Sequence, residues 1–173
     1  MEEQVAIDIR ETGAQRNGVP QKSEQRLFFQ LQVFTGCQNL TPLIQSLEAS
    51  RLEGVLYRDL NDPRGIGLAI WAQRPDVFVG QARTLMTTGA FGSLERKAIL
   101  TMMGRSYATG RESDLDDWLF AKPRRTVLNP DWPWAIWYPL RRKSEFSLLP
   151  QAEQGRILRE HAVIGMAFGE AGF

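Results

Sequence analysis

The feature that most narrows the fold is the order in which the hydrophobic period changes between residues 26 and 107. Leu27-Phe28-Phe29-Gln30-Leu31-Gln32-Val33-Phe34 is rich in strand formers, and from Phe29 it alternates, with Phe29, Leu31 and Val33 on one side. That pattern predicts a half-buried strand, closed by Gly36 and Asn39. Leu40, Leu43, Ile44 and Leu47 then recur at helical spacing and predict a helix over about 40–50. Gly54 to Arg58 predicts a second strand, Asp62-Pro63-Arg64-Gly65 a turn, and Gly67 to Ala72 a third strand. Pro75 opens a predicted helix reaching about Met86, with Val77, Phe78, Ala82 and Leu85 on one side. A further strand fits near residues 99–107. This is the order of a ferredoxin-like α+β sandwich.

The flanks are less regular. Residues 1–25 hold Gly13, Gly18 and Pro20 and few large apolar residues, and predict a mobile arm or a short strand added late. Residues 109–131 are polar and turn-rich, which predicts a short helix and a long connection. Trp134-Ala135-Ile136-Trp137-Tyr138-Pro139-Leu140 predicts a strand, and Pro150 opens a predicted helix over about 151–165. The chain therefore divides into an arm (1–25), a first ferredoxin-like half with its connecting loop (26–131), and the start of a second half (132–173). One strand and one helix cannot cover a sheet, so the second half is expected to be part of something larger or to be completed by another chain.

Composition limits the chemistry. Among 173 residues there is one Cys, Cys37, which excludes an intrachain disulfide framework and any Cys-based zinc site. One His, His161, excludes the two-His metal motifs. A net charge of +1 gives no reason to expect a nucleic-acid partner. No apolar run approaches the roughly 18 to 20 residues that span a bilayer, and the first 25 residues lack the apolar stretch of a secretory signal. A soluble, cytoplasmic protein with a reduced Cys37 is the expectation. Gly65-Ile66-Gly67 lacks the rest of a dinucleotide loop, and Asp114, Asp116 and Asp117 lack the Gly and terminal Glu of a calcium loop.

Three groups remain. His161 shares a helical face with Ile157, Leu158, Ile164 and Gly165. An imidazole there is either a core histidine or an axial ligand for haem iron, which needs a neutral ring nitrogen facing an apolar space; Gly165 would let a flat macrocycle approach. Lys122, Arg124, Arg125, Arg141, Arg142 and Lys143 form a basic cluster in which Asp131 is the only acid. It is either a solvated rim or a site for an anion such as a porphyrin propionate. The aromatic segment holds Trp132, Trp134 and Trp137 and ends on Tyr138, next to the cations. Its residues are either sheet core or, at Tyr138, a phenol made easier to ionise or oxidise.

In order, Trp137-Tyr138-Pro139-Leu140-Arg141-Arg142-Lys143, Leu148-Leu149-Pro150 and Arg156-Ile157-Leu158-Arg159-Glu160-His161 resemble the chlorite dismutase superfamily, most of all its coproheme decarboxylase branch. The resemblance is close over about 134–165 and looser over 26–107. It implies a ferredoxin-like fold of the dimeric α+β barrel type and a ring-shaped homo-oligomer, commonly a pentamer. It implies haem or iron-coproporphyrin III as cofactor, peroxide as co-substrate, and oxidative decarboxylation of propionates in haem biosynthesis. By the same resemblance His161 matches the proximal iron ligand. Tyr138 matches the tyrosine that becomes a radical and oxidises a propionate, and Arg142 falls where a Lys often lies beside that propionate. Arg124 or Arg125 falls near a propionate-binding position, and Arg141, Lys143, Ile157, Leu158 and Gly165 would line the cofactor. Alternatives are a haem binder without decarboxylation, a chlorite dismutase-like or peroxidase relative, and a non-haem ferredoxin-like interaction domain.

Overall fold

The computed structural model describes residues 8–137 and 143–170. The chain separates into two compact units, one up to Ile136 and one from Trp137 onward.

The first unit starts with strands β1 (Glu11–Arg16) and β2 (Val19–Ser23), paired antiparallel. Asn17 and Gly18 join them with φ of 53° and 79°. An Asn-Gly pair enters the left-handed region at little cost, so it makes the tight turn that matches strand twist. Of the two expectations for this stretch, a mobile arm or a short added strand, the described residues from Glu11 on show strand, as a hairpin. It is also tied down. The Ala14 N–H donates to the Glu112 carbonyl at 2.9 Å, and Gln21 Nε2 donates to the carbonyls of Glu112 and Ser113 at 3.1 and 3.0 Å.

The main sheet contains β3 (Phe28–Thr35), β4 (Glu53–Arg58), β5 (Ile66–Ala72), β6 (Glu95–Arg96) and β7 (Met102–Arg105). Its order is β4-β5-β3-β6, with β7 also on β3, and every pairing is antiparallel. The class is α+β. The described strands leave an open sheet and do not close the barrel expected from the resemblance. Helix α1 (Thr41–Ser50) links β3 to β4. After β5 a π-wound turn, Phe78–Ala82, runs into α2 (Arg83–Thr87) and α3 (Gly89–Gly92).

Register decides the core. Gln30, Gln32 and Phe34 of β3 stand opposite Ile70, Leu68 and Ile66 of β5 and share a face with them. On that face Phe34, Leu43, Ile66, Leu68, Phe78 and Phe91 form one buried cluster, in which the Phe34 and Phe91 rings lie 5.8 Å apart. Burying one such side chain is worth about 1.5–3 kcal/mol. The opposite face is buried as well: Leu31 and Ala69 are 4% exposed and Trp71 is 3%. The expected one-sided strand is thus corrected to a strand covered on both faces. A second π-wound turn, Asp117–Ala121, continues into α4 (Lys122–Val127), and Arg124 of α4 reaches Glu53 of β4.

The second unit contains α5 (Ser144–Leu148) and α6 (Gln151–Glu170). The strand predicted over 134–140 is not formed over 132–137, where Trp134 is 71% and Ile136 85% exposed. Aromatic and β-branched residues favour a strand only against a hydrogen-bonded neighbour, and no described strand pairs with these. The rest of that segment, with Tyr138, lies outside the described residues. Among the described residues, no helix is long and apolar enough to cross a membrane.

Candidate functional site

Helix α6 carries the lone imidazole, and its start is built locally. The Pro150 carbonyl accepts from the N–H groups of Glu153 and Gln154 at 2.9 and 3.0 Å. Gln154 Nε2 donates back to the Leu149 carbonyl at 2.8 Å. Glu153, in the first turn, suits the positive end of the helix dipole. Arg156 bridges Glu153 and Glu160, one turn to either side. Its guanidinium holds the Glu153 carboxyl below the usual range.

That ion-paired stripe leaves another face free for His161. At the ~100° per residue of an α-helix, Ile157, Leu158, His161, Ile164 and Gly165 fall within an arc of roughly 120°. Ile157 is half-buried and His161 exposed, while Leu158 and Ile164 are 42% and 58% exposed. A Cβ added at Gly165 would meet nothing within 4 Å. His161 is therefore not a core histidine of its own unit, as one alternative expected. It sits in an apolar strip whose backbone is uncovered one turn on.

This donor set suits one kind of metal centre. Among the described residues, no three His, Cys, Asp or Glu side chains are grouped to hold an ion. A lone imidazole fits a metal that brings its other ligands with it, as iron in a porphyrin does.

The basic residues of the first unit are dispersed. Arg124 pairs with Glu53 and lies over the Phe120 ring at 4.3 Å, and its Nε is buried without a hydrogen-bond partner. The other oxygen of Glu53 accepts from Trp71 Nε1 at 2.6 Å. Arg125 instead pairs with Asp117 at 2.8 Å, and Lys122 lies over Trp118 at 4.6 Å. These cations of the first unit point to different partners and do not converge on one anion site. Lys143 is exposed at the head of α5. Arg141, Arg142 and Tyr138 lie outside the described residues.

Reasoning from sequence missed two other cations, Arg83 and Arg96, which border a cavity between the sheet and α2. The signal was available in β3, where Gln30 and Gln32 stand between Phe28 and Phe34 on one face. No protein-family model, curated protein or solved structure matches the chain.

Proposed function

We propose that this protein is a porphyrin-binding oxidoreductase, similar to the peroxide-dependent coproheme decarboxylases and built on a ferredoxin-like sandwich. The carrying observation is His161, an exposed imidazole within the apolar strip of Ile157, Leu158, Ile164 and Gly165. His161 would hold the iron through one neutral ring nitrogen. Ile157, Leu158 and Gly165 would take the ring face, with Gly165 offering bare backbone. When bound, iron-coproporphyrin would supply the peroxide-driven oxidising power that no side chain of this chain supplies.

The chain's own residues would do the rest. Arg141, Arg142 and Lys143 would neutralise propionates, and Arg142 would sit beside the one that reacts. Arg124 or Arg125 would add a further propionate contact only by giving up Glu53 or Asp117. Tyr138 would carry the hydrogen, its phenolic O–H being the bond that breaks and re-forms while a propionate loses carbon dioxide. Work in the cytoplasm as a homo-oligomer, a pentamer by the same resemblance, belongs to this proposal.

Mixing the full chain with haem and with iron-coproporphyrin III, then adding peroxide, tests it. A Soret band that His161→Ala abolishes is expected, together with propionate loss that Tyr138→Phe stops. A Soret band without propionate loss would leave a non-decarboxylating haem binder or a peroxidase-like relative. No spectral change with either porphyrin would leave a non-haem interaction domain.

A further inference from the structure

The first unit holds an open cavity of about 560 Å³ that the porphyrin proposal does not use. Gln30, Gln32 and Phe34, successive same-face residues of β3, line its floor. Phe78, Met86 and Leu94 supply apolar walls. Arg83 of α2 and Arg96 of β6 stand at the mouth, both exposed. Arg96 pairs with Phe34 in register and so shares the cavity's face, whereas Glu95 pairs with Thr35 and belongs to the other face. Among the described residues no carboxylate lines the cavity. Among the described residues neither arginine has an ion-pair partner, unlike Arg124, Arg125 and Arg156.

The floor is unusual for a surface that only seats a helix. Opposite the two glutamines, β5 presents Ile70 and Leu68 to the same side. Gln32 is 3% exposed, and its Oε1 accepts from the Thr101 hydroxyl at 2.9 Å. Gln30 Oε1 is buried with no hydrogen-bond partner. A buried amide oxygen left unpaired is less favourable than a leucine of similar size. A positive mouth, apolar walls and an amide floor together describe a site with two polar ends.

We propose that this cavity binds a small hydroxyaryl carboxylate. Its carboxylate would meet the guanidinium forks of Arg83 and Arg96. Its ring would pack among Phe34, Phe78 and Met86, where flat aromatic and thioether surfaces favour it. Its hydroxyl would reach the floor and, with the Gln30 side chain turned toward it, donate to the Oε1 that is otherwise without a partner. The volume lies within the ~300–1,000 Å³ of small-ligand sites.

The test is a titration of the full chain, labelled at its methionine methyls, with para-hydroxyphenylacetate. A saturable shift of the Met86 resonance, assigned through Met86→Leu among the five methionines, is expected. The neutral para-hydroxyphenylacetamide should bind at least about tenfold more weakly, as should the acid to the Arg83→Gln/Arg96→Gln variant. Phenylacetate should bind more weakly than its hydroxylated analogue in the wild type, and equally well in Gln30→Leu. Both arginines are exposed, so the double variant keeps its fold, which circular dichroism verifies. Absence of a saturable shift would overturn the proposal. So would unchanged affinity in the folded double variant, or inorganic phosphate shifting Met86 as strongly as the acid.

Discussion

The two units handle their apolar residues in opposite ways. In the first, Phe34 is 1% exposed and Leu68 and Phe91 are 0%, whereas along α6 Val163 and Ile164 remain 60% and 58% exposed. A sheet with helices on one face and α4 reaching the other can enclose a core from its own residues. A single 20-residue helix cannot when, among the described residues of its own unit, its one helical neighbour is the short α5. Most helical stability in proteins comes from packing the apolar face, and α6 leaves much of that face exposed. The first unit thus carries its stability within itself. The second carries an imidazole on a face whose apolar neighbours gain by being covered.

The contrast can be broken most directly by truncation. Phe34→Ala should destabilise the first unit by about 3–5 kcal/mol, through lost burial and the cavity left beside Phe91. Ile164→Ala should stay within about 0.5 kcal/mol, as an exposed change does. Urea unfolding followed by circular dichroism measures both, and comparable losses would erase the distinction between the units. Amide hydrogen exchange sharpens it next: protection in β3 and β5 should exceed that in α6 by roughly a hundredfold or more, as expected for a core against a locally opening element.

Gly165→Ala has a smaller effect with an informative sign. The new methyl group meets open space, so the helix should gain up to about 1 kcal/mol from propensity alone. Under the proposed function the same methyl should weaken porphyrin uptake, measured as Soret absorbance. Helicity and uptake that rise together would remove Gly165 from the ring face.

The smallest expected effect belongs to the first unit and is confined to acid. Asp62 accepts from Lys97 Nζ at 2.7 Å, the Thr35 hydroxyl at 2.6 Å and the Arg64 N–H at 3.0 Å. The Lys97 ammonium foremost, then the Thr35 hydroxyl and the Arg64 amide, hold its carboxyl well below the usual range. A lowered folded-state pKa gives stability that is present above the ordinary value of about 3.9 and is lost as pH falls through the folded one. Asp62→Asn should therefore lower the urea midpoint at neutral pH and flatten its decline in acid. A parallel displacement of the whole pH profile would contradict this.

Much of the first unit was legible in sequence because its signals are local. Helical spacing of Leu40, Leu43 and Leu47 predicted 40–50, and α1 spans Thr41–Ser50. The run from Gly67 to Ala72 lies within β5 (Ile66–Ala72). Asn17-Gly18 was equally local, but turn chemistry was given less weight than the polar composition around it. The aromatic stretch 132–137 misled for the opposite reason: its strand propensity is genuine, yet a strand needs a partner that no local pattern supplies. Of the candidate site, the strip around His161 followed from periodicity alone. The separate engagements of Arg124 and Arg125 did not, because Glu53 lies far away in sequence and meets α4 only through the fold.

Residue order alone thus determined the α+β class, the placement of α1, β3, β4 and β5, and the single imidazole on an apolar helical face. These depend on periods of two and 3.6 that a short window of chain already contains. Tertiary structure alone decided that both faces of β3 are covered, that the Asn17-Gly18 hairpin ties to Glu112, and that Arg83 and Arg96 flank one cavity. Each of these joins residues distant along the chain, and strand register, which sets what stands opposite what, is a property of the assembled sheet.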